Sequence, residues 1–473
     1  MNKNNGIVWL RNDFRILKNE ALAYATQNHN HVCAFFILKK KNFKKRSAQL
    51  WWLYKSLKNF KKKLDQFNIN LEIVEADSYK EIFEKIIIKK NFSIYWNKVY
   101  EPDYLLFDKK SSNLLESRKI NFKIFKGNLL NENHEIKKSD NTPYKVFTPF
   151  WKTAEKYYLD KGFSKEHKIK IQEKKTNFLD KTINLDSILS KKKWHLNFEK
   201  FWNPSEETAL ENIKHFIKNG LSDYGKNRDI PNIKGTSKIS PYLTFGQIHV
   251  ETIWEECHKI GLKNNGFRKY INELGWREFS HSLINYFPEM LKGNLRKDFD
   301  HFPWQENKKH LIAWKKGITG YPIVDAGMRE LYETGWMHNR IRMVTASFLV
   351  KHLRIHWQEG EKYFRDCLLD FNEASNVAGW QWVAGCGADA APYFRIFNPI
   401  LQGERFDPLG EYVKKWIPEL SKVPKKFIHK PWELKEKIED FELGKTYPKP
   451  IVVHEEARNA ALAAFQKIKK KAI

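Results

Sequence analysis

The first 127 residues switch between two hydrophobic periods, and this alternation constrains the fold more than any other feature of the chain. Gly6 to Leu10, His31 to Leu38, Leu71 to Glu75 and Phe92 to Val99 are short apolar runs of strand length. Trp51, Tyr54, Leu57, Phe60, Leu64 and Phe67 recur every three or four residues, the spacing of one helix face. Ser78 to Lys90, with Ser78 as its cap, and Asp103 to Lys119 read as further helices. Strands alternating with helices predict a doubly wound, mainly parallel sheet. Gly6 is the only glycine before Gly127. A pyrophosphate needs glycines at a strand-to-helix turn, where backbone N–H groups approach it closely. A nicotinamide or nucleoside-triphosphate site is therefore not expected in this domain.

Beyond residue 130 the alternation ends. Residues 131 to 202 are polar and Lys-rich and read as a connector packing on both halves, which divides the chain into 1–130, 131–202 and 203–473. From Glu206 on, Glu206 to Lys218, Phe245 to Ile260, Gly266 to Tyr286, Val324 to Thr334 and His338 to Trp357 have helical periodicity, and Glu455 to Lys471 is a basic amphipathic helix. Four scattered cysteines (Cys33, Cys257, Cys367, Cys386) form no CxxC pair, so no zinc site, iron–sulfur site or disulfide framework is expected, and a reducing, cytoplasmic setting is. No metal ligand set and no membrane-spanning apolar run is read. A net charge of +28 implies a polyanionic partner, although Lys-rich stretches such as Lys61 to Lys63 also suit a plain solvated surface.

Trp336 to Pro399 mixes carboxylate, amide, guanidinium and indole groups with the small residues Ala374, Ser375, Ala378 and Gly379. Small residues allow a flat ligand to approach the backbone, so this stretch reads as a pocket for a large aromatic cofactor. Thr236, Ser237 and Ser240 precede a helix and either bind a phosphate or form an ordinary cap and turn. Glu273, Trp276 and Arg277 share a helix face at i, i+3 and i+4, as surface decoration or as a stacking plate with polar neighbours.

Several blocks in one order resemble the photolyase/cryptochrome family, most closely class I cyclobutane pyrimidine dimer photolyases. They are Ile7 to Arg15, Tyr144 to Phe150, Asn272 to Phe279, Thr319 to Ala326, Trp336 to Phe348 and Gly379 to Asp407. The resemblance implies an N-terminal α/β antenna domain and an all-helical domain holding FAD. It implies a carbon–carbon lyase that uses blue or near-UV light to split cyclobutane dimers in UV-damaged DNA by electron transfer from excited reduced FAD. A cryptochrome, a photoreceptor without repair, is the alternative; the protein is expected to act as a monomer. Tyr224, Thr236, Ser237, Lys238, Ile239, Ser240 and Tyr270 match positions around FAD, as do Arg342, Asp370, Phe371, Asn372 and Asn376, the last facing flavin N5. Trp380, Trp357 and Trp304 match the tryptophans that pass electrons to photoexcited flavin. Arg228, Glu273, Trp276, Arg277, Asn339, Arg340, Met343 and Trp382 match lesion- or DNA-contacting positions, with Glu273, Asn339 and Asn376 acting in catalysis. Three positions depart from the pattern. Asn372 stands where a second acid is usual, Tyr270 replaces a Trp, and Asp103-Tyr104 follows Tyr100-Glu101-Pro102 where folate-binding relatives carry Asn-Glu. A methenyltetrahydrofolate antenna, a deazaflavin and an empty antenna site all stay open.

Overall fold

The computed structural model describes residues 5–39, 47–76, 78–84, 92–178, 182–187, 189, 194–261, 265–390 and 394–471. Its N-terminal lobe is a five-stranded parallel sheet of β1 (Asn5–Leu10), β2 (His31–Leu38), β3 (Asn70–Glu75), β4 (Ser93–Asn97) and β5 (Phe122–Phe125), in the order β3-β2-β1-β4-β5. This is the doubly wound sheet that the alternating periods predict. β5 is an addition: its four residues are too few to show a period. The helix expected from Ser78 starts as foreseen, with the Ser78 hydroxyl accepting from Lys80 N, and runs over Tyr79–Ile82; residues 85 to 90 of that expectation lie outside the described residues. At the end of β1, where a dinucleotide fold carries glycines, the chain has Arg11, ion-paired with Asp108 at 2.7 Å. The indole of Trp96 donates to the same carboxylate. A paired guanidinium thus stands at this turn in place of a glycine.

The remainder is helical, and two expectations for it are corrected. Residues 131 to 202 are more than a connector, because Phe147–Lys161 is a 15-residue helix. Its Trp151 lies against Gly275 of the helix Asn265–Tyr286, where an added Cβ would stand 2.4 Å from the indole, so the two helices meet only because residue 275 has no side chain. The single helix expected over His338 to Trp357 is broken. Asn339–Ser347 passes into a π-helical turn, Phe348–His352, then Arg354 takes a left-handed conformation (φ 51°) and a new helix begins at Trp357. The His356 ring caps it by accepting from Gln358 N, a signal that continuous apolar spacing conceals.

The two lobes share one hydrophobic core. Buried polar bonds fix their register: Trp52 Nε1 donates to Gln247 Oε1 at 2.8 Å, Gln49 Nε2 to Phe371 O at 2.7 Å, and Arg15 to Gly246 O at 3.0 Å. Gly246 has φ +63°, and a Cβ there would overlap Asn12 O, so only glycine serves.

Glu278 also lies in this seam, accepting from Leu130 N and Asn131 N. Burial pushes its carboxyl up to about 7 from 4.5. Between those values the folded protein keeps a proton that the unfolded chain has released, so stability falls as pH rises through that window, by about 3 kcal/mol. Glu278→Gln is expected to flatten this dependence, raising Tm at pH 8 more than at pH 5; parallel Tm–pH curves for the two proteins would contradict the assignment.

Candidate functional site

Three helices and one loop form a cavity of about 190 Å³ in the helical lobe, with Phe364 of the helix Trp357–Cys367 in its wall. The helix Asn339–Ser347 starts under His338, whose ring accepts from Arg340 N. Asn339, Arg342, Met343 and Ala346, at i, i+3, i+4 and i+7, then line one wall. The helix Glu373–Ala384 starts under Asn372, whose side-chain oxygen accepts from Ser375 N. Asn376, Gly379, Trp380 and Val383 follow at the same kind of spacing and line the other wall. A Cβ on Gly379 would meet nothing within 4 Å, so glycine there leaves the space to a ligand. Trp380 is held from behind by Gly360, where an added Cβ would come within 2.1 Å of its indole. Gly360→Ala is expected to cost about 1–3 kcal/mol by overpacking and to loosen cofactor retention; urea unfolding and flavin content read the two effects.

Asp370 is the fixed charge of the cavity. Arg342 Nη2 lies 2.8 Å from its Oδ2, Ser240 Oγ donates to the same oxygen at 2.6 Å, and Thr244 Oγ1 donates to its backbone carbonyl. Arg342 is itself held through Nε to Met337 O at 2.7 Å. The second carboxylate oxygen, Oδ1, is buried with no hydrogen-bond partner among the described residues. A buried acceptor of this kind calls for a donor, and an isoalloxazine ring carries one. Asn376 is tethered too. Its amide nitrogen donates to Glu361 Oε1 at 3.0 Å, and Glu361 is clamped by Arg365 at 2.8 Å. Glu361 and Arg365 were missed in the sequence; an i,i+4 acid–base pair on a short helix looks like ordinary surface pairing.

Tyr270 donates to Ser237 Oγ at 3.0 Å and meets Tyr224 edge-on at 5.2 Å. Burial raises the Tyr270 phenol well above its ordinary value, so it stays a neutral donor. Thr236 and Lys238 are part-exposed and exposed, Ile239 is buried, and the Lys238 ammonium lies 4.9 Å over the Trp336 ring.

The departure at residue 372 has a physical partner. Asn372 Nδ2 lies 3.3 Å from Glu101 Oε1 and 3.4 Å from His281 Nε2. An aspartate there would face the Glu101 carboxylate, so an amide suits this neighbour. The departure at Asn372 is thus a contact between the lobes, made at Glu101, two residues from the departure at Asp103-Tyr104. Glu101, Asp103 and Tyr104, which follow β4, also line a larger cleft of about 560 Å³ beyond the ends of β1 and β2, beside the β1–β4 boundary where the strand order reverses. Phe371 borders both this cleft and the Asp370 cavity.

The three tryptophans occupy different settings. Trp380 lines the cavity, and Trp357 opens its helix with Nε1 donating to Asn294 Oδ1 at 2.8 Å. Trp304 is part-exposed against His356, ring centroids 4.9 Å apart, and His356 in turn stacks on Trp357 at 5.6 Å.

The residues expected at DNA are only partly gathered. Asn339 and Met343 line the cavity. Arg228 pairs with Glu273 at 2.5 Å, and Arg340 holds Asp229 through two nitrogens. The shared face of Glu273 and Arg277 is not a pair: Arg277 turns to Glu278 at 3.6 Å, towards the lobe seam, while Glu273 takes Arg228. Trp276 stacks flat on Phe147, centroids 3.8 Å apart, so one face of that indole is already covered. Phe147 belongs to the stretch read as a connector and was not foreseen here. Trp382 donates to Asp389 O at 3.0 Å and borders a different, smaller pocket with Lys351 and Phe394.

Sheet lobe, helical lobe and amide-and-carboxylate cavity together define a two-lobed protein built to hold a flat redox cofactor. Comparison with known proteins sharpens this. Residues 6–170 match the DNA photolyase family model, and residues 270–467 match the FAD binding domain of DNA photolyase. The deoxyribodipyrimidine photo-lyase of Agrobacterium fabrum is 40% identical over 98% of both chains. Cryptochrome-1 of Arabidopsis thaliana is 32% identical over 96% of this chain and 69% of its own length. The crystal structure of a bacterial class III photolyase from Agrobacterium tumefaciens superposes with a TM-score of 0.92 at 38% identity, covering 99% of this chain and 98% of that one. The chain belongs to the DNA photolyase family. The resemblance read from the sequence pointed to class I and this solved relative is class III; both are DNA photolyases.

Proposed function

We propose that the protein is a light-driven enzyme that repairs cyclobutane pyrimidine dimers in DNA with FAD. The observation that carries the reading is the pairing of an unsatisfied, clamped Asp370 with a tethered Asn376 across one cavity. When bound there, reduced FAD supplies on excitation the electron that splits the dimer and then recovers it. Arg342 and Asp370 orient the ring, with Tyr224, Thr236, Ser237, Lys238, Ile239, Ser240 and Tyr270 serving the rest of the cofactor beside them. Glu361 holds the Asn376 amide in place, and an amide facing the ring, unlike an acid, has no proton to give it, which favours the anionic reduced form. Glu273 and Asn339 hydrogen-bond the dimer, Trp276 offers its uncovered face with Trp382 opposite, and Arg228, Arg277, Arg340 and Met343 surround them. Photolyases are themselves standard base-flipping enzymes, and a dimer already partly unstacked lowers the cost of extrusion. Trp380, Trp357 and Trp304 resupply electrons.

His338 bears on the type of lesion. Burial lowers its ring to about 4, and its Nδ1 is used in the helix cap, so it is a neutral ring with no proton to deliver at neutral pH. That favours dimer splitting, which moves an electron alone, over lesions whose repair needs an acid. The division into 1–130, 131–202 and 203–473 is kept, with the middle segment contributing Phe147 to the lesion side. The class III assignment rests on the solved relative. Four cysteines buried as free thiols fit a reducing compartment, the cytoplasm, and the protein is taken to act as a monomer. The larger cleft is assigned to a second, light-collecting chromophore, folate, deazaflavin or another; Trp9, Tyr79, Tyr104 and Phe107 offer ring faces and Arg11, Lys39 and Lys110 offer positive charge. Phe371, bordering both cavities, keeps the two chromophores close.

The DNA partner is tested by binding. With a net charge of +28, affinity for a dimer-containing oligonucleotide is expected to fall by ~10³ between ~50 and ~200 mM salt if ~6 phosphates are neutralised. A flat salt response, or equal affinity for undamaged DNA at every salt concentration, would remove the lesion-binding reading.

A further inference from the structure

Only the middle of the three tryptophans donates a hydrogen bond. The indole nitrogens of Trp380 and Trp304 are buried and, among the described residues, have no acceptor. Trp357 Nε1 donates to Asn294 Oδ1 at 2.8 Å, and the other end of the same amide, Nδ2, donates to Asp300 Oδ1 at 2.7 Å. Asn294 is 3% exposed, whereas Asp300 lies at the surface. The three groups form one relay from a fully buried indole N–H, through a buried amide, to a carboxylate.

We infer that Asn294 and Asp300 are positioning residues that stabilise the oxidised form of Trp357 and so draw the electron vacancy outward from Trp380 in the first internal step. The inference rests on the electron-supply reading of Trp380, Trp357 and Trp304. In that reading Trp380 gives one electron to the photoexcited cofactor and is left one electron short, next to the group it has just reduced. Unless the vacancy moves, the electron returns and nothing is gained. One electron passing from Trp357 to Trp380 relocates the vacancy; a second, from Trp304, carries it to the surface, where a one-electron reductant such as a solution thiol fills it. No bond is made or broken in either transfer.

The positive charge created on Trp357 is shared by its N–H. A hydrogen bond to an amide oxygen stabilises that charge, and an amide held by a carboxylate is the better acceptor, because bonds in a chain polarise one another. The Asn294 oxygen is an acceptor but a poor base, so the proton stays on the indole and the vacancy remains free to move on. Trp380 has no such acceptor, so the step away from the cofactor is the favoured direction. The ring between Trp357 and Trp304 adds no opposing charge: burial lowers the His356 imidazole below its ordinary value, leaving it neutral at pH 7.

Two variants of the FAD-loaded protein and one control test this. Asn294→Leu, which removes the acceptor, is expected to lower the quantum yield of flavin photoreduction by about fivefold, the factor that one ordinary hydrogen bond represents. Asp300→Asn, at an exposed position that folding tolerates, keeps the first bond and loses its charge, and is expected to lower the yield by about twofold. A structural readout accompanies the kinetic one: the indole ¹H–¹⁵N resonance of Trp357 is expected to move upfield in both variants, while those of Trp380 and Trp304 stay in place. Trp357→Phe is the control. If it abolishes photoreduction and both variants keep the wild-type yield, the relay is overturned and the electron chain stands. If Trp357→Phe itself keeps the wild-type yield, the electron-supply reading fails and takes the relay with it.

Discussion

Arg342→Ala is expected to yield a folded protein that has lost its flavin. The Asp370 carboxylate side chain is 3% exposed, and Arg342 is the cation that pairs with it. Removing one member of a buried pair costs about 3–5 kcal/mol, because the remaining charge stays out of water without compensation. Ser240 still donates to Oδ2, so the lower end of that range, about 3 kcal/mol of stability, applies, and a carboxylate freed of its clamp no longer presents a fixed acceptor to the cofactor. Arg342→Lys is a useful contrast. An ammonium can meet the carboxylate, but it cannot also hold Met337 O through a second, fixed nitrogen, so partial retention is expected. The ratio of flavin to protein absorbance after gel filtration reads both variants. Full flavin content in Arg342→Ala would mean that Asp370 is not the cofactor's anchor.

Trp380→Phe is expected to separate two light reactions that the wild type combines. Photoreduction of the oxidised flavin should drop to background, because the only described tryptophan in the cavity wall has been replaced by a ring that is much harder to oxidise. Repair by protein reduced beforehand with dithionite should fall far less, since splitting a dimer draws on an electron already present. The outer ring atoms that touch Gly360 are the ones a phenyl lacks, so flavin content serves as the check on folding. Equal loss of the two activities would show that Trp380 shapes the cavity and does not supply electrons.

The doubly wound sheet was legible because a parallel sheet buried on both faces writes itself as apolar runs, and because Trp51 to Phe67 keep one helical face for nearly five turns. β5 was not legible, since four residues carry no period. The break before Trp357 was hidden for a different reason: apolar spacing continues across it, and the decision to stop is made by Arg354 in a left-handed conformation and by the His356 cap. At the site, single residues carried the information. Arg342, Asp370 and Asn376 are unusual in their company and stand out; Glu361 and Arg365, which fix Asn376, look like any helix-surface pair. Asn372 shows the limit most clearly. In the sequence it is a missing acid, and only the fold brings Glu101, 271 positions earlier, to the place where a second carboxylate would be repelled. Likewise Phe147, in a block that the resemblance marks without giving it a role, covers one face of Trp276, a pairing that no spacing within either segment encodes.

The central claim is tested most directly by one assay. Protein loaded with FAD and reduced under anaerobic conditions is mixed with a thymine-dimer oligonucleotide and split between blue light and darkness, and the loss of the dimer is followed by chromatography. The account predicts intact thymines in the illuminated sample only, at a rate that scales with light dose and falls away when Asn339 and Glu273 are replaced. A dimer that survives illumination, with reduced flavin bound and the oligonucleotide held, would contradict it and leave the photoreceptor alternative in its place.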